Sequence, residues 1–344
     1  MTRELLNTLF VLTPGAYVRL DGETLVVEAE NQRLARVPLH HLGSVVLFER
    51  TGMSNSAKAR CAAEGRDVTC LDAAGQFLWR LVGPTSGNVL LRRDQYQTQA
   101  DPMRCLAVAR AIVAGKIRNS RQTLARGARE STDEEATNAL RSATDELAVY
   151  LQRLPEAQTL DAVRGIEGQV AAIYFRAFGH LLRVPRSEFA FAARTRRPPR
   201  DRVNALLSLF YALLTTDCRA ALEGCGLDPQ IGFLHTLRPG RPALALDLAE
   251  EFRSYLADRT ALALINRRQI RPEHFEERPG GSVLLTLEGR RVALAAYQRR
   301  KQEEVSHPLL KDPAPIGLFP HLQARLLARH LRGELPTYPA FLAR

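Results

Sequence analysis

Short apolar or alternating runs crowd the first part of the chain: Leu9–Leu12, Ala16–Leu20, Thr24–Val27, Leu34–Val37 and Gly43–Leu47. Turn residues separate them at Pro14-Gly15, Asp21-Gly22 and Glu30-Asn31. Runs of this length between such breakers read as β-strands. Leu5–Leu12 follows Arg3 in the manner of a signal-peptide core. Glu4 lies in the would-be basic region, however, and Asn7 and Thr8 interrupt the run, so a first strand is the better reading. Helical spacing over Asn55–Ala63 is followed by a strand at Asp67–Leu71, a turn at Ala74-Gly75 and a strand at Gln76–Val82 that holds the single tryptophan, Trp79. Gly83-Pro84-Thr85-Ser86-Gly87 is the clearest breaker in the chain and puts a hinge within 83–101.

From Asp101 the apolar period becomes i, i+3/i+4, the signature of helices packed on a core. It runs through Met103–Arg129, Asp133–Leu154, Ala162–Leu182, Val203–Leu222, Ala243–Asn266 and Ile316–Leu331. Asp101-Pro102 and Asp201 supply helix starts, and Gly224 follows a stop. Ser282–Leu287 and Arg290–Leu294, about Glu288-Gly289, read as a hairpin or as a strand leading into a helix. The pattern predicts an α+β protein: a β-sandwich-like N-terminal domain at 1–95, then a larger all-α domain at 96–344.

The longest near-apolar stretch, Ala205–Leu214, falls short of the roughly 18 residues a membrane span needs. The five cysteines are irregularly spaced and form no CxxC pair, which argues against a disulfide framework and a Cys-rich zinc site. A cytoplasmic protein with reduced thiols is expected.

Charge adds a partner. The 344 residues carry 48 Lys+Arg against 37 Asp+Glu, a net of +11. Residues 1–100 are nearly balanced, so the excess lies in the helical part, and only Lys58, Lys116, Lys301 and Lys311 are lysines. Guanidinium forks match phosphate oxygens in pairs, so DNA is the expected ligand. Arg194, Arg196, Arg197, Arg200 and Arg202 crowd the approach to the Val203 helix, while Lys116, Arg118 and Arg121 lie on another basic helix face. Lys116, Arg121, Arg194 and Arg197 are the named candidates for phosphate contact.

Three segments carry candidate chemistry. In Val163-Arg164-Gly165-Ile166-Glu167-Gly168, Glu167 borders an apolar helical stripe between two glycines. Glycine inside a helix costs about 1 kcal/mol relative to alanine, and commonly marks the close approach of a backbone or a ligand. Gly232-Phe233-Leu234-His235 offers one imidazole, and Asp247-Leu248-Ala249-Glu250-Glu251-Phe252-Arg253 offers three acids. Periodicity does not choose among Asp247, Glu250 and Glu251. Two carboxylates and one imidazole converging from separate helices suit Mg²⁺ or Mn²⁺ and leave positions for water and a phosphate. Beside a basic domain, that reads as phosphodiester chemistry.

Four segments together carry a resemblance. They are Arg164-Gly-Ile-Glu167-Gly, the run Arg197-Pro198-Pro199-Arg200-Asp201-Arg202-Val203-Asn204-Ala205-Leu206-Leu207, Gly232-Phe-Leu-His235, and Gly240-Arg-Pro-Ala-Leu-Ala-Leu-Asp247-Leu-Ala-Glu250-Glu-Phe-Arg253. In order and spacing they resemble the CRISPR-associated integrase and endonuclease of spacer acquisition, the Cas "one" family, in the style of members from type I systems. Each motif alone is weak; the four together are specific, and the resemblance spans essentially the whole chain.

The resemblance implies an N-terminal β-domain that mediates homodimerisation and a helical domain with one metal site. Its ligands and catalytic residues would be Glu167, His235 and Glu250, the last standing where other members often have Asp, with Asp247 as the acidic neighbour. It further implies Mg²⁺ or Mn²⁺ as cofactor, DNA as substrate, and a small companion, Cas "two", bridging two dimers. The activity implied is insertion of foreign DNA fragments into a CRISPR array as new spacers. Two other readings fit the charge: a non-catalytic architectural DNA-binding protein, and a general structure-specific repair nuclease. Convergence of Glu167, His235 and Glu250 speaks against the first, and dependence on the companion protein against the second.

Overall fold

Strands with alternating apolar positions need a second layer to bury against, and two four-stranded sheets supply it. A computed structural model describes residues 7–73, 75–83, 89–309 and 313–343. One sheet has the order β4 (Gln32–Pro38), β3 (Thr24–Ala29), β2 (Tyr17–Asp21), β6 (Gly52–Met53). The other has the order β1 (Thr8–Val11), β5 (Ser44–Phe48), β7 (Asp67–Leu71), β8 (Phe77–Arg80). The first is antiparallel except for the β2–β6 pair; in the second, β1, β5 and β7 run parallel and β8 is antiparallel. The expected first strand is seen at Thr8–Val11, and residues 5 and 6 of that expectation lie outside the described residues.

Val18, Leu25 and Val27 of one sheet meet Val45, Leu47 and Val68 of the other, with Ala57 and Cys61 from α1 (Asn55–Ala63). The opposite face of the second sheet is buried too: Val46, Phe48 and Leu71 join the core of the helical part. A sheet covered on both faces calls for continuous apolar strands, which is why Val45-Val46-Leu47-Phe48 does not alternate. Arg80 pairs with Glu223 at 2.5 Å, and Arg219 lies 4.8 Å over the Phe77 ring, so the same junction is also fastened by charge. At the outer edge β8 leaves Phe77, Leu78 and Trp79 exposed.

The region expected to be a hinge carries a helix, α2 (Val89–Ala100), and the 95/96 division falls inside it. Positions 84–88 of the breaker lie outside the described residues. There follow α3 (Pro102–Glu130), α4 (Glu134–Arg153), α5 (Leu160–Phe178) and α6 (Arg202–Gly224). The side chains of Asp101, Asp133, Thr159 and Asp201 accept backbone N–H bonds from the first turns of these four, satisfying donors that have no partner within the helix. α6 is longer than the expected apolar run, and by length and composition alone it could cross a membrane. Here Leu206, Leu207, Phe210, Leu213 and Leu214 are buried in the helical core, and the helix packs on its neighbours.

Two expectations need correction. The second part is not all-α: β9 (Phe275–Arg278) pairs with β10 (Ser282–Leu285), and β11 (Glu304–Ser306) with β12 (Pro313–Pro315). β10 leads straight into α9 (Leu287–Gln302), so the Ser282 run is a strand entering a helix, paired with a strand before it. α10 (Phe319–Leu331) closes the helical core.

The single helix expected over Ala243–Asn266 is broken into α7 (Ala243–Glu250), a π-helical turn at Arg253–Asp258 and α8 (Arg259–Asn266). Three buried acids point three ways from this interrupted rod. Glu250 faces Lys116 of α3 and the His235 side chain. Glu251 accepts from the Tyr338 hydroxyl, the Gln323 amide and the Phe341 N–H, at 2.6–3.1 Å, and burial pushes its carboxyl up to about 7. Asp258 accepts from the Tyr211 and Tyr174 hydroxyls at 2.7 and 2.8 Å. Apolar spacing carries no trace of the widened turn, because the buried side is continuous through it.

Burial pushes the Asp258 carboxyl up to about 6, against the pull of its two tyrosine bonds. The folded protein therefore holds a proton there that the unfolded chain has released. The resulting stability is present below about pH 4 and lost as pH rises through 6, on the order of 3 kcal/mol in all. Asp258→Asn should remove that slope. Unfolding free energies of both proteins from pH 4 to 7 should converge by this amount as pH rises, and parallel profiles would refute the assignment.

Candidate active site

Glu167 lies on α5 between Gly165 and Gly168, which are exposed, and a Cβ at either would have no atom within 4 Å beyond the neighbouring backbone of its own helix. The glycines do not serve packing; they leave one side of Glu167 bare, with room for a ligand. His235 ends the Gly232–His235 loop between α6 and α7. That loop is tied down from four elements. Gln95 on α2 donates to the carbonyls of Asp228 and Ile231, both at 2.8 Å, and the Cys105 thiol on α3 reaches the Phe233 carbonyl at 3.3 Å. Arg164, one turn before Glu167, donates to the Leu234 carbonyl at 2.7 Å.

Asp247 on α7 does most of the tying. One of its oxygens accepts from the N–H groups of Phe233 and Leu234 at 2.6 and 3.0 Å. The other accepts from the His235 N–H at 2.9 Å and meets His235 Nδ1 at 2.6 Å. With four partners the carboxylate is filled as an acceptor. Nδ1 therefore carries the hydrogen and Nε2 is turned outward, the tautomer an imidazole needs to bind a metal. Gly232 permits this: a Cβ there would lie 2.6 Å from Asp247 Oδ2 and 2.7 Å from the Ala243 carbonyl carbon.

Glu250, one turn after Asp247, is 1% exposed. Its Oε1 is 3.8 Å from His235 Nε2 and pairs with Arg253; its Oε2 is 2.7 Å from Lys116 Nζ on α3. Lys116 also binds Glu167. One ammonium thus draws together acids from α5 and α7, with His235 alongside. Burial alone would push the Glu250 carboxyl up, but the Arg253 guanidinium and the Lys116 ammonium outweigh it and hold the group well below the usual carboxylate range. Arg253 lies 5.1 Å over the Tyr211 ring, whose hydroxyl bonds Asp258, so the pair rests on a second buried layer.

The sequence candidates fall unevenly. Glu167, His235 and Glu250 are brought together, and Asp247 is the residue that orients His235. Lys116 is turned into this acidic centre instead of toward solvent. Arg194 is turned inward, donating to Asn204 Oδ1 at 2.8 Å and Ser208 Oγ at 3.2 Å, and Arg121 donates to the Thr144 carbonyl at 3.0 Å. Arg196 and Arg197 are exposed and have no ion-pair partner among the described residues.

Sequence reasoning passed over Arg241, which lies within electrostatic reach of Asp247, and its neighbour Arg238. Burial, then Arg238, Arg164 and Arg196, push the Arg241 guanidinium down against the pull of Asp247. Their position inside the Gly232–Arg253 motif block was the available signal.

Among the described residues, no three His, Cys, Asp or Glu side chains are grouped to hold a metal as they are placed. The Lys116 ammonium fills the space between Glu167 and Glu250. The donor set nevertheless fits a hard divalent cation. It offers two carboxylates and an outward Nε2, and Glu250 Oε2 is buried with an ionic partner but no aligned hydrogen bond.

Acids and an imidazole on a helical scaffold, beside exposed guanidiniums, have the chemistry of a site that handles phosphodiesters. The comparisons narrow this class. The family model described as CRISPR associated protein Cas1 matches residues 9–299. A relative from Moorella thermoacetica, "CRISPR-associated endonuclease Cas1 1", is 52% identical over 340 residues, covering 99% of either chain. The chain belongs to the Cas1 family. Its fold is similar to a "Cas6-RT-Cas1--Cas2 complex" chain (TM-score 0.85, 24% identity), with all of this chain spanning 37% of that one. It is also similar to a "Casposase bound to integration product" (TM-score 0.84, 21% identity, 98% of this chain and 94% of the other).

Gly232→Ala should push Asp247 off the loop and release His235. Divalent-cation affinity, read by titration calorimetry with Mn²⁺, should fall about tenfold or more while the fold persists. Unchanged affinity would show that Asp247 does not position the imidazole.

Proposed function

We propose that the chain is a divalent-metal-dependent DNA endonuclease and integrase that inserts foreign DNA fragments into a CRISPR array as new spacers. The observation that carries this reading is that Lys116 pairs with both Glu167 and Glu250 while His235 Nε2 lies 3.8 Å from Glu250, so acids and imidazole from three separate segments lie side by side. The printed names of the relative, an endonuclease, and of the structural neighbours, a casposase with its integration product and a complex containing Cas2, support it.

In the reaction the 3′-OH of a captured fragment attacks a phosphodiester at the repeat border. A new P–O bond forms, and the target strand's own 3′-oxygen leaves with the electron pair of the bond that breaks. A divalent cation held by Glu167, His235 and Glu250 would supply polarisation of the phosphoryl oxygen and charge for the leaving oxygen. The nitrogen donor makes Mn²⁺ as suitable as Mg²⁺. Asp247 keeps His235 in one tautomer and one orientation. Arg164 holds the His235 loop against α5, and Arg196, Arg197, Arg238 and Arg241 grip phosphates on either side, so that the reacting atoms meet in a fixed geometry.

The same reading extends to assembly. Residues 1–95 act as the dimerisation domain, and the exposed Phe77-Leu78-Trp79 edge suits contact with a second copy. The small companion Cas2 bridges two such dimers on DNA. Five free cysteines fit a reducing, cytoplasmic setting.

Integration of a labelled fragment into supercoiled plasmid, with companion protein and Mg²⁺ or Mn²⁺, tests the reading. Glu167→Ala, His235→Ala and Glu250→Ala should each lower strand transfer by about a hundredfold or more while DNA binding persists. Near-normal integration by any of the three would remove that residue from the site. Full activity in all three would overturn the proposal.

A further inference from the structure

We propose that Lys116 is a built-in stand-in for the metal: its ammonium competes with the divalent cation for Glu167 and Glu250 and, once displaced, serves the DNA phosphate. This deepens the metal-site reading above and rests on it.

The argument begins with charge. Glu167, Asp247 and Glu250 bring three negative charges to a site where Lys116 and Arg253 bring two positive ones. These five groups sum to one negative charge, before the nearby guanidiniums of Arg164 and Arg241 are counted, and Glu250 stays buried at 1% exposure. A divalent cation added to this set brings it to a single positive charge, the complement of one phosphodiester. Without Lys116 the loaded site would be neutral and would attract phosphate less.

Geometry supplies the rest. The two cations hold Glu250 differently. Arg253 is tied from both sides, to Glu250 Oε1 and to the face of Tyr211. Among the described residues Lys116 pairs with the two carboxylates alone, and its side chain is 12% exposed. It is a flexible stem ending in a point charge, able to withdraw without breaking anything else. The exposed, bare faces of Gly165 and Gly168 lie on the same helix as Glu167 and offer approach room. A lysine that served only to pack α3 against α5 would not need to span both acids.

The test is Mn²⁺ binding to the full chain, followed by electron paramagnetic resonance, beside strand transfer at saturating Mn²⁺. Lys116→Met should tighten Mn²⁺ binding about tenfold, because the competitor is gone. It should also lower strand transfer at saturating metal at least tenfold. Lys116→Arg, which keeps the charge, should stay within threefold of the parent in Mn²⁺ affinity, and it serves as the check should the methionine variant fold poorly. Weaker or unchanged binding in Lys116→Met would overturn the proposal and leave the lysine a structural ion pair. So would Lys116→Arg binding Mn²⁺ as tightly as expected for a chain without the competitor. Glu250→Ala separates the two levels. If it binds Mn²⁺ as the parent does, the metal site itself is misassigned and the proposal falls with it. If it loses binding while Lys116→Met is unchanged, only the role of Lys116 falls.

Discussion

A carboxylate that is 1% exposed must have its charge answered from within the fold, and Glu250 is such a group. The surrounding helices are arranged around that demand. α3 brings Lys116, the turn after α7 brings Arg253, and the loop before α7 brings His235. The π-helical turn places Arg253 against Tyr211 and Asp258 against two tyrosine hydroxyls, so the second layer is satisfied as well. Losing both cations would leave an uncompensated buried charge, so Glu250 depends on its partners.

The neighbouring acid shows how far the arrangement reaches. Glu251 faces away from Glu250 and binds Tyr338, Gln323 and the Phe341 N–H, while Asn119, one turn along α3 from Lys116, donates to the Phe341 carbonyl at 2.9 Å. The segment at 336–343 therefore straps α3 to α7 behind the site, with Phe341 stacked on Phe252 at 5.1 Å. The β-sandwich docks on the same helical core through Val46, Phe48 and Leu71, so the site sits on a continuous packed body.

Much of this scaffold was legible in the sequence. α1 and β7 have the bounds the pattern predicts, because their breakers are local turn residues whose chemistry acts over a few positions. Asp101 and Asp201 cap their helices as read. The turn inside 243–266 was not legible, since apolar spacing continues through it. The interrupted all-α part escaped for a related reason: β9, β11 and β12 are short, and β9 is charged and half in solvent. At the site, Glu167, His235 and Glu250 came from four motifs read together, while spacing alone left Asp247, Glu250 and Glu251 level. The structure separates them by what each carboxylate already binds: Asp247 is filled, Glu251 faces the strap, and Glu250 faces only cations. Lys116 and Arg194 read as solvent-facing bases, because nothing in a helical period tells an arginine or lysine that an acid or an asparagine waits across the core.

The central claim is that Glu167, His235 and Glu250 form one metal site with Asp247 behind it. Crystals of the full chain soaked in Mn²⁺ and measured at the manganese absorption edge test it most directly. The account requires one anomalous peak within coordination distance of Glu167, Glu250 and His235 Nε2, with Lys116 moved away and Asp247 still bonded to Nδ1. A peak ligated by Asp247, or Mn²⁺ bound elsewhere with Lys116 unmoved, would contradict it.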